Sequence, residues 1–417
     1  WFTILVAVQR GDKMATVLMI GAFDTKGLEY AFLREELLTR GHQVIAVDTG
    51  VVGEGAVFPI DVRAEEVAQM GESSLEALRA AGDRGLAMKV MSAGAALCAK
   101  TLYDEGRFAG IIGMGGSGGS SVVTAAMRAL PVGVPKVCIS TVASGDTSAY
   151  VGAKDVVLIP SIVDVAGMNR ISRVIFSRAA GAISGMVERE PTPAVDEAPV
   201  VVASMFGNTT ECVNACAAQL GDQGYEVLVF HATGTGGRTM ESLVSEGLVD
   251  GVLDITTTEW ADEICGGVFS AGSTRLEAAS AHGVPQLVVP GCIDMANFGG
   301  MDTVPRRYKD AERLFYEWNP AVTLMRTNAD ENAQMGRIFA EKANASIGPV
   351  AFLLPLEGVS ILDGDGELFC DREADRAFFN ALKNHLRSDI PVYEAELNIN
   401  APAFSALAVE LLLGLMS

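Results

Sequence analysis

One stretch decides the fold: Ile111-Ile112-Gly113-Met114-Gly115-Gly116-Ser117-Gly118-Gly119-Ser120-Ser121, followed directly by Val122-Val123-Thr124-Ala125-Ala126-Met127. The apolar run predicts a buried strand, the glycines and serines a tight turn, and the alanine-rich segment a helix. Glycines let a turn bring backbone N–H groups close to an anion, and a helix start adds unpaired N–H groups and a partial positive charge. The stretch therefore predicts a phosphate-binding unit whose ligands are Gly115, Gly116, Ser117, Gly118, Gly119, Ser120 and Ser121. The alternative is a turn whose glycines only let the helix pack closely on the strand.

Upstream, residues 16–20 and 44–47 predict two strands joined by an amphipathic helix over 28–40. Asp24 and Thr25, candidate cofactor ligands, lie in the turn after the first strand. Asp48 follows the second strand, where a Rossmann unit places its ribose ligand; a solvated turn aspartate is the alternative. Residues 64–106 predict helix, broken or tightened near 92–96.

Downstream, residues 137–140 and 156–160 predict further strands, and 162–187 predicts a long helix. Thr141, a candidate cofactor ligand, and Asp146 lie in the polar segment after the first of these strands.

The second half repeats this layout. Strands are predicted at 200–205 and 225–230, and the latter is predicted to be buried and to end at His231. A second glycine-rich turn then follows, Thr233-Gly234-Thr235-Gly236-Gly237-Arg238, and a third polar turn contains Gly272, Ser273 and Glu277. We therefore predict two Rossmann-like, doubly wound α/β domains with mostly parallel sheets, 14–188 and 200–417, facing each other across a cleft. Residues 189–199, with three prolines, form the predicted linker, and residues 1–13 precede Met14 as an upstream extension.

Composition narrows the function. The formal charge of −21 argues against nucleic acid as a partner, and no apolar run is long enough to predict a membrane span. The seven cysteines are scattered through apolar segments, which favours free buried thiols in a reducing compartment. We expect an acidic cytoplasmic protein that recruits small anions locally.

Several segments together resemble the UPF0261 family of Tm-1-like ATP-binding proteins, whose plant members include a virus-resistance protein. They are residues 21–27, 113–121, 161–170, 231–238, 256–259 and 294–305, and the resemblance runs from Met14 over essentially the whole chain. It implies two Rossmann-like domains, ATP binding with magnesium, and self-association as a dimer or tetramer. One departure lies in the long polar segment 292–305: Gly299-Gly300-Met301 stands where the family pattern has Gly-Pro-Arg, so a candidate anion site lacks a cation.

Candidate chemistry follows from the polar turns at the strand ends. Asp24, Asp146 and Asp294 are candidate magnesium ligands, although each also suits a turn or a helix cap. His231 is a candidate general acid or base or else a core histidine, and Glu259 is a catalytic carboxylate or a helix-capping acid. The turn 233–237 would hold a second anionic group, with Arg238 either contacting it or lying free on the surface.

Three functions remain open at this point. The first is an ATP-dependent enzyme that acts on a small anionic metabolite in the interdomain cleft. The second is a binding protein that ATP regulates without turnover. The third is an enzyme similar to two-domain GT-B glycosyltransferases, in which Gly272 and Ser273 hold a diphosphate and Glu277 holds a ribose.

Overall fold

The computed structural model describes residues 14–53, 57–189 and 198–417. The chain divides into two compact units, unit 1 up to Pro193 and unit 2 from Ala194. The predicted upstream extension and most of the predicted linker lie outside the described residues.

Unit 1 alternates strands and helices along the chain. Its elements are β1 (Thr16–Gly21), α1 (Phe23–Thr39), β2 (Gln43–Asp48), α2 (Ala64–Met70), α3 (Leu75–Ala81), α4 (Arg84–Asp104), β3 (Gly110–Gly115), α5 (Ser117–Arg128), β4 (Lys136–Ser140), α6 (Ser148–Val151), β5 (Val157–Pro160) and α7 (Arg170–Glu188).

The five strands form one parallel sheet in the order β2-β1-β3-β4-β5. Helices cover both faces: the side chain of Ile111 packs in the cluster under α2, α4 and α5, while its neighbour Ile112 packs in the cluster under α1 and α7. The chain adds β2 on one side of β1 and then β3, β4 and β5 on the other, so the strand order reverses between β1 and β3, which is where open α/β sheets bind ligands.

Unit 2 is larger. Its elements are β6 (Val200–Met205), α8 (Thr210–Asp222), β7 (Glu226–His231), α9 (Thr235–Ser245), β8 (Gly251–Thr256), α10 (Thr258–Cys265), α11 (Ala278–His282), β9 (Gln286–Gly291), β10 (Met295–Phe298), α12 (Arg306–Asp310), β11 (Phe315–Asn319), β12 (Val322–Arg326), α13 (Ala329–Asn344), β13 (Val350–Pro355), α14 (Arg372–His385), β14 (Val392–Ala395) and α15 (Pro402–Met416).

The main sheet of unit 2 repeats the topology of unit 1. Its order is β14-β13-β9-β8-β6-β7 with parallel pairing throughout, so β7, β6, β8, β9 and β13 correspond to β2, β1, β3, β4 and β5. An additional antiparallel sheet has the order β10-β12-β11. The predicted fold class, two doubly wound α/β units with mostly parallel sheets, is confirmed.

The predicted helix over 64–106 is three helices, and the predicted break near 92–96 is wrong. Helix α4 runs without interruption through those residues. The small residues there serve close packing instead, since a Cβ on Gly94 would lie 1.9 Å from the carbonyl oxygen of Val67 in α2. The first interruption lies at residues 71–74, between Gly71 at the end of α2 and Ser74, which caps α3. The second lies at Gly82, which ends α3 with φ +60°, and at Asp83, which caps the N-terminus of α4.

The predicted helix over 162–187 is also too long. Helix α7 begins at Arg170, where the Asn169 side chain accepts hydrogen bonds from the amides of Ile171 and Ser172. Residues 161–169 form a loop at the carboxyl edge of the sheet.

The polar segment 292–305 is not one long loop. It contains β10, whose residues are buried and paired with β12. Pairing across the chain satisfies the backbone of this segment, which local sequence could not reveal.

Six of the seven cysteines are buried and Cys370 is half-buried, all as free thiols. Over the described parts of the chain, the helices include none that is long and apolar enough to cross a bilayer.

Candidate functional site

A cavity of unit 1 opens at the carboxyl edge of its sheet. It has a volume of about 1050 Å³ and is lined by the segments that follow all five strands and by the corner between α3 and α4. Because it spans the β1/β3 reversal point, the cavity lies where this fold class binds ligands.

The floor of the cavity is the glycine-rich turn. The first intrahelical hydrogen bond of α5 runs from the Ser120 amide to the Gly116 carbonyl at 2.8 Å, so the amides of Ser117, Gly118 and Gly119 precede it. Among the described residues these three amides have no acceptor, and no side chain caps the helix. They form an anion-binding surface at the start of a 12-residue helix.

The predicted phosphate ligands separate into two groups. Gly116, Ser117, Gly118 and Gly119 line the cavity, whereas Gly115, Ser120 and Ser121 are outside its lining. A Cβ on Gly115 would lie 2.7 Å from the Cα of Gly119, so Gly115 serves a close backbone approach. The buried Ser120 hydroxyl lies 3.2 Å from the Gly115 carbonyl, to which it donates, and 2.5 Å from the Ser140 hydroxyl.

Sequence reasoning missed Arg84, the first residue of α4. A Cβ on Gly118 would lie 3.3 Å from Nη2 of Arg84, so the guanidinium lies beside the glycine turn. Within the described residues this side chain has no hydrogen-bond or ion-pair partner. The Gly82-Asp83 pair was the usable signal, because a glycine that ends one helix and an aspartate that caps the next mark a corner.

Asp24, Thr25 and Thr141, predicted as cofactor ligands, line the same cavity. Oδ2 of Asp24 accepts hydrogen bonds from the amides of Val52 and Gly53, both at 2.9 Å. Oδ1 of Asp24 is buried without a partner among the described residues. Lys26 also lines the cavity, and its ammonium donates to the carbonyl of Val165.

Asp48 is placed differently. Its carboxylate is buried and accepts hydrogen bonds from the amides of Phe23 at 3.0 Å and Gly50 at 2.9 Å. Burial raises the pKa of this carboxyl, although both amides oppose the rise. Asp48 joins the end of β2 to the start of α1 and is not part of the cavity wall.

The second glycine-rich turn, after β7, already has an anionic partner. The amides of Gly234 and Gly237 donate to Oε1 of Glu259 at 2.7 and 3.1 Å. A Cβ on Gly237 would lie 2.1 Å from Oε2 of Glu259, so the glycine makes room for this carboxylate. Glu259 is 1% exposed and acts as an internal ligand of the turn.

Arg275 forms a buried ion pair with Glu259. It is 1% exposed and donates to Glu259 at 2.7 Å, to Asp254 at 2.6 and 2.7 Å, and to Glu241 at 3.1 Å. Burial alone would lower the pKa of Arg275, but the three carboxylates raise it well above its usual value. Burial raises the pKa of Glu241.

The other predicted residues of this turn are more exposed. Arg238 donates to the carbonyl of Ser270 at 2.9 Å and to the hydroxyl of Thr235 at 3.2 Å. His231 ends β7, which is an edge strand of the sheet. The strand lies where the sequence predicted it, but the prediction that it is buried is wrong, because β7 is only partly buried and His231 is exposed. Thr233 and Gly236 complete the turn next to it.

The third predicted turn borders a small depression of about 310 Å³, lined among others by Arg238 and Glu277. The ammonium of Lys342 donates to the carboxylate of Glu277 and to the carbonyl of Ser273. Gly272 has φ +90°, which explains its glycine.

The remaining predicted magnesium ligands, Asp146 and Asp294, lie outside the cavity of unit 1. Asp146 accepts a hydrogen bond from the Ser148 amide at the start of α6, and hydrogen bonds to Ser148 lower its pKa. Asp294 is fully buried in unit 2, where burial raises its pKa to about 6 although Arg326 and Ser360 oppose the rise. Over the described parts of the chain, no three His, Cys, Asp or Glu side chains come together as a metal site.

Two family models match the chain. The N-terminal domain of the uncharacterised protein family UPF0261 matches residues 15–192, and its C-terminal domain matches residues 198–416. A UPF0261 protein of Clostridium tetani is 47% identical over 401 residues, which are 96% of this chain and 98% of that protein. The resemblance noted from the sequence motifs is confirmed.

The chain is also similar to the ToMV resistance protein Tm-1(GCR237) of Solanum lycopersicum, with 40% identity over 405 residues. That alignment covers 92% of this chain but 53% of the tomato protein. Among solved structures, glycosyltransferase SsfS6 of Streptomyces sp. SF2575 aligns over 95% of this chain and 99% of its own with 14% identity and a TM-score of 0.20, which supports no argument about function.

Proposed function

This chain belongs to the UPF0261 family, and we propose that its unit 1 binds ATP with magnesium in the cavity at the carboxyl edge of the β2-β1-β3-β4-β5 sheet. One observation carries the proposal. Within the part of the chain that the structure describes, the amides of Ser117, Gly118 and Gly119 start α5 without an acceptor, and the guanidinium of Arg84 lies beside them. Backbone N–H groups at a helix start together with an arginine are the usual partners of a phosphate group.

The size and lining of the cavity fit a nucleotide. A volume of about 1050 Å³ is at the upper end of small-molecule sites, which span roughly 300–1,000 Å³. Aliphatic side chains such as Val51, Leu78 and Met88 line part of the wall, while the glycine turn and the hydroxyl groups of Thr141 and Ser144 line another part. An apolar wall next to an anion-binding floor suits a base and its phosphates.

Magnesium fits this cavity through Asp24. The ion is usually held by one or two carboxylates together with phosphate oxygens and water. Oδ1 of Asp24 has no hydrogen-bond donor among the described residues, and it is the carboxylate oxygen that remains for a cation. When bound, the ion would offset part of the phosphate charge.

Binding does not imply turnover, because a phosphate-binding turn positions a phosphate without specifying its reaction. We propose ATP-dependent chemistry on a small anionic metabolite as the finer function, with ATP-regulated binding as its alternative. Release of ADP in the presence of candidate acids distinguishes the two.

The experiment that tests ATP binding is isothermal calorimetry with ATP, ADP and UDP in magnesium buffer. The variant is Gly118→Val, because a Cβ there meets only Met88 at 3.1 Å and Arg84 at 3.3 Å, both flexible side chains, so the protein should fold. The matched control is Gly185→Val, an exposed glycine of α7 whose Cβ position is open.

We expect the wild type and Gly185→Val to bind ATP alike and Gly118→Val to bind it at least about tenfold more weakly, a loss of 1.4 kcal/mol or more. Wild type that ignores ATP, or a folded Gly118→Val that binds it normally, would overturn the proposal. Preference for UDP would direct attention to Gly272, Ser273 and Glu277 in unit 2.

A further inference from the structure

Ile162 has an unusual backbone conformation. Its φ is +65°, in the left-handed region that β-branched residues avoid. It is the centre of a three-residue turn, since the Val163 amide donates to the Ser161 carbonyl at 2.7 Å. The Ser161 hydroxyl also donates to the Val163 carbonyl at 2.6 Å. A turn of this kind is rare and strained, and glycine would adopt it freely.

The protein core does not explain this strain. Of the five described non-glycine residues with positive φ, Leu276 and Cys292 are buried and pack in the core, while Glu72 and Glu312 are unbranched and end short helices. The side chain of Ile162 is 70% exposed and lines the cavity of unit 1. Packing against the described core residues therefore does not explain the strained conformation of Ile162.

The turn is held in place from α1. Lys26 donates to the carbonyl of Val165, and the carboxylate of Glu29 accepts a hydrogen bond from the Gly167 amide at 2.5 Å. These two contacts fix the loop after its bend, and before the bend the Ser161 amide donates to the carbonyl of Ser140 in β4 at 3.1 Å. Strained residues that their surroundings hold in this way cluster at ligand-binding sites.

The position of the turn suits one part of a nucleotide. Strand β5 is two strands from β3 in the sheet, a distance of roughly 10 Å at the usual strand spacing. With phosphates at the glycine turn after β3, the ribose and base of the same ligand can reach the loop after β5. An exposed isoleucine offers an apolar face to a planar base and nothing to a phosphate.

We propose that Ile162 is a specificity-determining residue of this cavity, which contacts the base or ribose face of the bound nucleotide. This inference rests on the proposed ATP binding. It places the base on the β5 side of the cavity. The other side, after β2, also has an exposed aliphatic residue, Val52, which is 85% exposed and lines the cavity.

The test compares two ligands, Mg-ATP and inorganic tripolyphosphate with magnesium, by calorimetry on the full chain. Both reach the glycine turn, but only ATP has a base and ribose. The variants are Ile162→Ala, Ile162→Gly, Ile162→Val and Val52→Ala. Glu72→Gly is the matched control, because it relieves a positive φ of 63° in the same unit, outside the cavity lining.

We expect Ile162→Ala and Ile162→Gly to bind ATP about tenfold more weakly, the effect of losing an apolar contact, and to bind tripolyphosphate within about twofold of wild type. Ile162→Val should retain ATP affinity. Ile162→Gly and Glu72→Gly should both unfold at a higher temperature than wild type, since each relieves strain, but only the first should lose ATP affinity.

The proposal is overturned if Ile162→Ala and Ile162→Gly bind ATP normally, or if they lose ATP and tripolyphosphate equally. It is also overturned if Val52→Ala weakens ATP binding while the Ile162 variants do not, because the base then lies on the β2 side. A wild type that binds neither ligand overturns the proposed function itself, and that outcome is visible without any variant.

Discussion

The two glycine-rich turns of this protein look alike in sequence and differ in what their amides contact. After β3, the amides of Ser117, Gly118 and Gly119 lack an acceptor among the described residues and face a large cavity. After β7, the amides of Gly234 and Gly237 donate to the carboxylate of Glu259. A glycine-rich turn before a helix thus predicts available N–H groups, but not whether a ligand or a side chain of the same chain accepts from them.

The difference extends along the carboxyl edges of the two sheets. Unit 1 has an open cavity there, and beside it lies the guanidinium of Arg84, which has no partner in residues 14–53, 57–189 and 198–417. In unit 2 the buried arginines are already paired, Arg275 with Glu259 and Asp254, and Arg326 with Asp363 and Asp375. At this edge of its sheet, unit 2 pairs its buried arginines with carboxylates of its own chain, whereas the cavity of unit 1 has room for a charged ligand.

We call the turn after β7 filled, because Glu259 occupies its amides, and the turn after β3 open. The largest loss of stability should come from Glu259→Ala, which removes the carboxylate from the filled turn. The variant leaves two amides and one side of the buried Arg275 without an acceptor. Removing one partner of a buried ion pair costs about 3–5 kcal/mol of unfolding free energy, which urea denaturation measures. Glu259→Gln is the control: it retains an oxygen for both amides and should lose less.

Glu259→Ala also frees the amides of Gly234 and Gly237 to bind an external anion. We expect acetate or sulfate to raise the melting temperature of Glu259→Ala more than that of wild type, because a free anion can occupy the vacated place. An equal response of both proteins to anions would mean that the turn collapses when Glu259 is removed, and the comparison with unit 1 would fail.

Asp294→Asn tests the buried charges of unit 2. Because burial raises the pKa of Asp294 to about 6 from its usual 3.8, the folded protein holds this proton longer than the unfolded chain. Stability from this group is therefore present below pH 4 and lost as the pH rises towards 6, by about 2–3 kcal/mol. The asparagine retains an acceptor for the Ser360 hydroxyl and does not titrate.

Urea denaturation at several pH values between 4 and 7 checks this expectation. The variant should show a shallower pH dependence than wild type over that range and be more stable than wild type at pH 7. A variant that is less stable at pH 7 would show that Arg326 stabilises the ionised carboxylate by more than burial costs.

The smallest effect should come from Arg84→Ala in unit 1. Since this exposed side chain has no partner among the described residues, thermal unfolding should change little. ATP affinity should fall about tenfold, the scale of one charge-assisted contact to phosphate. Arg84→Lys should recover part of the loss, because an ammonium retains the charge but not the planar pair of donors. Unchanged ATP affinity in Arg84→Ala would exclude the guanidinium from the site.

Sequence reasoning located the five strands of the unit 1 sheet and β6 and β7 of unit 2, but it missed β8 inside the unit 2 sheet and placed some helices poorly. Central strands such as β1 and β3 are short, apolar and almost fully buried, so their signal is local. Residues 92–96 predicted a break because small residues are poor helix markers, yet Gly94 is small so that α2 can approach α4. Residues 162–169 predicted helix because their apolar content resembles the α7 segment that follows, and the turn at Ile162 has no local marker.

The candidate site divides in the same way. The glycine turn after β3 could be predicted from the sequence because the residues that form the turn, Gly116, Ser117, Gly118 and Gly119, are also the ones that line the cavity. Arg84 was not visible, since it comes from a corner that precedes β3 by a whole helix. From the sequence, Glu259 could be proposed only as a catalytic or helix-capping carboxylate. It accepts hydrogen bonds from Gly234 and Gly237 because the sheet brings the segments after β7 and β8 together.

The sequence by itself determined the alternation of strands and helices, the internal repeat and the presence of two glycine-rich turns. These follow from hydrophobic periodicity and glycine content, which act over a few residues. The tertiary structure alone decided which turn is open and which is filled, that Asp48 and Asp294 are buried rather than exposed to a ligand, and that Arg84 lies beside Gly118. Each of these depends on contacts between residues far apart in the chain, where packing rather than local preference selects the partner.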